Sequence, residues 1–140
     1  MKVTNDDLAS KSASEEIKDY FSDVRKTNDC PITDVLARIS DKWTMHTLIT
    51  LGKSDKLRFT ELKNQVEGIS QRMLTVTLRT LEEDGFITRT QFPQIPPRVE
   101  YELTPLGKSL VVELIGLSKW ANDNMGKVFE ARGRYQLKNN

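Results

Sequence analysis

Cysteine and histidine are each represented once in this chain of 140 residues, by Cys30 and His46. One thiol excludes an intramolecular disulfide framework and a multi-cysteine zinc site. No third orienting group or oxyanion site accompanies the pair, so they do not form a nucleophilic catalytic set, and an enzyme is not expected. No metal or cofactor is expected either. No apolar run is long enough to span a bilayer and the first residues carry no signal-peptide core; the cytoplasm is the expected compartment and a membrane is not an expected partner. Repeats and low-complexity stretches are missing. So is any strong charge: 21 Lys and Arg against 20 Asp and Glu leave a formal +1. That balance excludes a uniformly basic nucleic-acid binder and makes the distribution of charge decisive.

The chain has 37% hydrophobic and 29% charged residues. This suits one ordinary globular domain with a true core. Residues 1–50 carry seven basic against nine acidic side chains, whereas 51–98 carry eight against six. Within the latter, Ser70–Thr80 contains Arg72 and Arg79 and no acid. A mild basic bias of this kind becomes a phosphate-facing surface when two copies combine.

Local signals divide the chain into elements. Met1–Ala13 is polar and expected to fray. Ser12 with Glu15, or Ser14 in competition, caps a short helix on which Ile17, Tyr20, Phe21 and Val24 form one apolar stripe. Pro31 suits the first position of the next helix, with Cys30 before it, Asp34 in the first turn, and Val35, Leu36 and Ile39 as the buried side. Asp41 caps a third helix bearing Trp43, Thr47, Leu48 and Leu51, which Gly52 ends. Leu57-Arg58-Phe59 reads as a short strand, and Thr60 as the cap of a helix carrying Leu62 and Val66 and terminated by Gly68. Ser70 caps the helix that follows.

That helix has two distinct faces. Leu74, Thr77, Leu78 and Leu81 point inward, with Met73 beside them. Gln71, Arg72, Thr75, Val76 and Arg79 point outward. Glu82-Glu83-Asp84-Gly85 closes it, and three acids there direct the N-terminal half toward any phosphate. Phe86–Phe92 is a strand, Pro93–Pro97 a loop whose prolines cannot donate to a ladder, and Arg98–Leu103 an alternating return strand. Thr104-Pro105 then opens a last helix with Leu106, Leu110, Leu114, Leu117, Ala121 and Met125 on one stripe, widened by Val111, Ile115 and Trp120. Its apolar surface exceeds what a small domain needs for itself and argues for a dimer interface.

A helix, a glycine turn, a second helix and a β-wing make a winged helix-turn-helix, which places its second helix in the major groove of double-stranded DNA. Gln71 and Thr75 suit base edges, and Arg72 and Arg79 suit bases or phosphates, against a bland reading as solvated charges. Val76 meets a thymine methyl or edges the core. Lys63 and Arg89 suit phosphate, and Ser70 supplies the helix start. Arg98 enters the minor groove or pairs with Glu100. Cys30 is a thiol at a helix N-terminus near Arg25 and Lys26, which favours the thiolate, or a small packing residue. His46 and the two tryptophans read as packing residues.

Cys30-Pro31, Asp41-Lys42-Trp43-Thr44, Arg58-Phe59-Thr60-Glu61-Leu62, Gly68-Ile69-Ser70-Gln71-Arg72-Met73-Leu74, Leu78–Gly85 and Pro96–Gly107 together resemble the HxlR-type winged-helix transcription regulators of bacteria, related in fold to the MarR regulators. The resemblance covers about Cys30 to Trp120. It implies a homodimer joined through its terminal helices on an operator with two related half-sites. It also implies, for some relatives, an oxidant- or electrophile-sensing cysteine in the position of Cys30.

The expected fold is therefore α+β and mainly α: a winged helix-turn-helix domain with extra N- and C-terminal dimerisation helices. Residues 1–25 form an extension, 26–125 the domain with its C-terminal dimerisation helix, and 126–140 a tail. The dimer is expected through Ile17, Tyr20, Phe21, Val24, Leu110, Leu114, Leu117 and Trp120. The expected function is DNA-binding transcriptional regulation, with oxidation of Cys30 as input. A small-molecule effector with a structural Cys30, and a winged-helix protein-interaction module without DNA, remain the alternatives.

Overall fold

The computed structural model describes residues 5–22 and 31–140. It divides into two units, Met1–Ile39 and Ser40–Asn140.

In the first unit, α1 spans Asn5–Ser22 and α2 spans Pro31–Ile39. Helix α1 begins well before the expected Ser12 or Ser14 cap. Ile17, Tyr20 and Phe21 are exposed, and the rings of Tyr20 and Phe21 meet edge to face at 4.9 Å. Val24 and Cys30 lie outside the described residues. On α2, Ile39 is buried at 2% relative exposure, but Ile32 is 54% exposed and Val35 and Leu36 are exposed beside it. The expected buried side of α2 is thus largely exposed among the described residues.

The second unit begins with α3, Lys42–Lys53. Asp41 caps it twice: its carboxylate accepts from Thr44 N at 3.0 Å and from Thr44 Oγ1 at 2.6 Å. Gly52 does not end the helix, which runs one residue further to a C-cap at Ser54. Strand β1, Leu57–Arg58, leads straight into α4, Phe59–Gln65. Thr60 is therefore inside the helix instead of capping it. Arg58 holds the cap position, and its backbone N–H donates to Glu61 Oε1 at 3.3 Å. Gly68 adopts φ +84°, a left-handed turn that other residues resist, and a Cβ there would stand 3.6 Å from the Trp43 ring.

Helix α5 spans Gln71–Glu83, with Ser70 Oγ accepting from Met73 N at 3.1 Å. Leu74, Thr77, Leu78 and Leu81 are its buried residues. Gly85, at φ +79°, reverses the chain into β2, Ile87–Phe92, which pairs antiparallel with β3, Arg98–Leu103. The sheet order is β1-β3-β2, with Leu57 opposite Tyr101 and Arg89 opposite Tyr101 on the other side. The core lies between this sheet and helices α3–α5, around Leu48, Leu51, Leu62, Leu74, Leu81 and Ile87.

Helix α6 spans Pro105–Asn139. At 35 residues it is about 50 Å long, so the expected tail beyond Met125 is helix as well. Thr104 couples it to α5: its Oγ1 accepts from Gly107 N at 3.0 Å and donates to Gly85 O at 2.6 Å. Gly107 sits so close to Phe86 that a Cβ would come 2.0 Å from the Phe86 carbonyl oxygen. Leu114, expected at a dimer contact, packs inward at 9% exposure, while Trp120, expected there too, is 55% exposed. Val112, Ile115, Leu117, Phe129, Tyr135 and Leu137 are exposed along the same helix. Among the described residues no helix is long and apolar enough to cross a membrane.

Candidate nucleic-acid interface

Ser70 fixes where α5 starts, and the inward Leu74–Leu78–Leu81 stripe fixes which way it turns. The opposite side is consequently open. Gln71, Arg72, Thr75, Val76 and Arg79 are all exposed, and Thr75 Oγ1 donates to Gln71 O at 2.8 Å. Ser70 is exposed at the cap, and Lys63 and Asn64 are exposed on α4.

Beside this face stands the hairpin of β2 and β3. A cleft of about 510 Å³ separates them, lined from α5 by Gln71, Thr75, Leu78, Arg79 and Glu82, from the hairpin by Arg89 and Tyr101, and from α4 by Phe59. Gln71, Thr75, Arg79 and Arg89, singled out separately in the sequence, thus share one site. Arg72, Val76 and Lys63 lie outside the cleft on exposed surface.

Arg98 has a different environment from Arg89. Its guanidinium lies 4.1 Å from the centroid of the Phe92 ring, and its Nε forms an ion pair with Glu100 Oε1 at 3.4 Å. Of the two readings of Arg98 in the sequence, the pairing with Glu100 is the arrangement present.

Two contributions escaped the sequence reading. Glu82 enters the cleft, although it read only as part of an acidic helix end. The spacing Gln71, Thr75, Leu78, Glu82, at i, i+4, i+7 and i+11, carried that signal. Phe59 and Tyr101 supply apolar walls that only the sheet pairing brings to α5.

Of the side chains expected at a dimer contact, Ile17, Tyr20, Phe21, Leu117 and Trp120 are exposed, Leu110 is half-buried, and Leu114 is covered by its own chain. Leu114 lines a mostly apolar groove of about 230 Å³ between α3 and α6 with Ile49, Gly52, Val111 and Ile115. Val35 and Leu36 on α2, expected on its buried side, add exposed apolar surface together with Ile32. His46 is exposed, in a shallow cleft with Lys42, Lys53 and Glu67. Among the described residues no three His, Cys, Asp or Glu side chains converge to hold a metal ion.

Known proteins share this arrangement. The family model described as HxlR-like helix-turn-helix matches residues 38–129. The HTH-type transcriptional regulator YtfH of Escherichia coli is 36% identical over 103 residues, covering 74% of this chain and 81% of the relative. The solved structure of the transcriptional regulator ytfH from Salmonella typhimurium superimposes with a TM-score of 0.63 at 35% identity, over 76% of this chain and 94% of that one. The redox regulator HypR in its reduced form gives a TM-score of 0.65 at 34% identity, over 71% and 97%. The match begins at Arg38, so α1 and most of α2 precede it.

Proposed function

Since this chain belongs to the HxlR-like helix-turn-helix family, whose relatives are transcriptional regulators, we propose that it acts as a homodimer on an operator with two related half-sites. The observation that carries this reading is the open face of α5. Gln71, Arg72, Thr75 and Arg79 stand exposed on a helix whose other side is locked into the core, with Arg89 facing them across the cleft. Gln71 suits a paired contact to adenine, Thr75 a methyl contact to thymine, Arg72 a guanine edge, and Arg79 a guanine edge or the phosphate beside it. Val76 extends the apolar contact. Lys63, Arg89 and the N-terminus of α5 at Ser70 hold phosphates and set register.

The dimer forms through exposed apolar surface on the terminal helices, which includes Ile17, Tyr20 and Phe21 on α1 and Leu117 and Trp120 on α6. Two reading helices then have to meet half-sites about one helical turn apart, and a small rotation of one subunit weakens both contacts together. Cys30 is the proposed input. HypR, a similar protein named as a redox regulator, has been solved in both oxidised and reduced forms. With no second cysteine in the chain, oxidation at Cys30 gives a cross-link between subunits or a cap by a small thiol.

A second input has support in the groove between α3 and α6, which is mostly apolar and open to a small effector. Selection of bound sequences from a random duplex pool, with reduced and with oxidised protein, tests the whole proposal. Recovery of a two-part motif only from the reduced protein supports it. No enrichment, and no duplex affinity at low salt, removes it.

A further inference from the structure

We infer that Glu82 is a negative specificity determinant of the DNA surface, a carboxylate placed to make loose phosphate binding by Arg79 and Arg89 unfavourable. The inference rests on the DNA-binding reading above. With α5 in a major groove and the wing beside it, the cleft between them is where a sugar–phosphate strand passes. Its walls carry Arg79 and Arg89, with Phe59, Leu78 and Tyr101 beside them. Two arginines in such a slot attract any phosphate, whatever the sequence. Glu82 lines the same slot, one helical turn beyond Arg79. Its charge repels a phosphate that arrives alone. A cognate duplex offsets that repulsion with the base contacts of Gln71, Arg72 and Thr75, and a random duplex does not.

The position of Glu82 in α5 gives a second, independent argument. The last turn of α5 contains no basic residue and ends in Glu82-Glu83-Asp84. Acids at a helix C-terminus oppose the helix dipole. A charge that weakens its own helix and faces a cleft of opposite charge is placed at a local cost, as functional residues often are.

Glu82→Gln keeps the side-chain size and removes the charge. Binding is measured for wild type and variant on the duplex recovered by selection and on a scrambled duplex of equal length and composition, across a salt series. The variant should bind the scrambled duplex about three- to tenfold more tightly at low salt, with a log–log salt slope steeper by about one. Its affinity for the selected duplex should change less, so the ratio between the two falls, and its melting temperature should not drop. In an Arg79→Ala, Arg89→Ala background the substitution should have no effect. An unchanged ratio, an equal loss on both duplexes, or the same effect without the arginines overturns the role of Glu82 and leaves the DNA-binding reading standing. A wild type that binds neither duplex overturns both.

Discussion

Arg98 lies across the face of Phe92, its directly paired neighbour at the loop end of the β2–β3 hairpin, with 4.1 Å between guanidinium and ring centroid. Glu100, two residues on, holds Nε at 3.4 Å. A guanidinium committed to a ring and a carboxylate on its own hairpin braces the wing, whereas Arg89, exposed in the cleft, is available to phosphate.

Arg89→Ala should therefore weaken duplex binding at every sequence and make the salt slope shallower by about one. Arg98→Ala should cost less affinity and should instead speed hydrogen exchange in β2 and β3. Phe92→Ala should do the same, with a stability loss of about 1 kcal/mol from the lost ring contact. An Arg98→Ala affinity loss equal to that of Arg89→Ala would show that Arg98 leaves its brace to reach DNA.

The two sides of α5 make opposite predictions. Arg72→Ala should abolish preference for the selected operator while dimer formation and melting stay as in wild type. Leu78, at 2% exposure, faces the core, and Leu78→Ala should destabilise by about 2–5 kcal/mol in chemical denaturation. A change of a few tenths there, or unaltered operator preference in Arg72→Ala, would contradict the assignment of faces.

Gly107→Ala replaces a poor helix former with the best one and should still destabilise. The added Cβ would meet the Phe86 carbonyl oxygen at 2.0 Å, inside any allowed contact. Relief requires α6 to move away from the Gly85–Phe86 turn, which breaks the Thr104–Gly85 hydrogen bond. A loss of about 2–4 kcal/mol, read from urea unfolding, is the expected result. An unchanged midpoint would mean that the first turn of α6 is free to shift.

Cys30→Ser should bind the selected duplex as wild type does and lose the response to diamide or hypochlorite. In wild type, those reagents should lower operator affinity and yield a thiol-reducible dimer on non-reducing gels, or a mass increase with a small thiol present. A wild type indifferent to both reagents assigns Cys30 to packing and leaves the α3–α6 groove as the input.

Several elements were legible in the sequence because their signals act over three or four residues. Asp41, Ser70 and Thr104 each satisfy a backbone N–H three positions ahead, so a cap can be recognised without knowing the rest of the fold. The failures have a common cause as well. Thr60 is a good cap type, but β1 pairs with β3 up to Arg58 and the helix starts directly after it. Residues 126–140 read as a tail, yet the helix begun at Pro105 continues through Gly126 and Gly133 to Asn139.

By itself, the order of residues determined the succession of helices and strands from Pro31 to Leu103 and which side of α5 is apolar, since caps, turns and periodicity are local and each is encoded within a turn or a strand pair. Only the tertiary structure decided which apolar and charged side chains are used up within the chain: Leu114 covered and Trp120 exposed on one helix, Arg98 committed and Arg89 open on one hairpin, Glu82 brought into the cleft with two arginines. Burial and pairing depend on what stands opposite, and residues distant in sequence supply that.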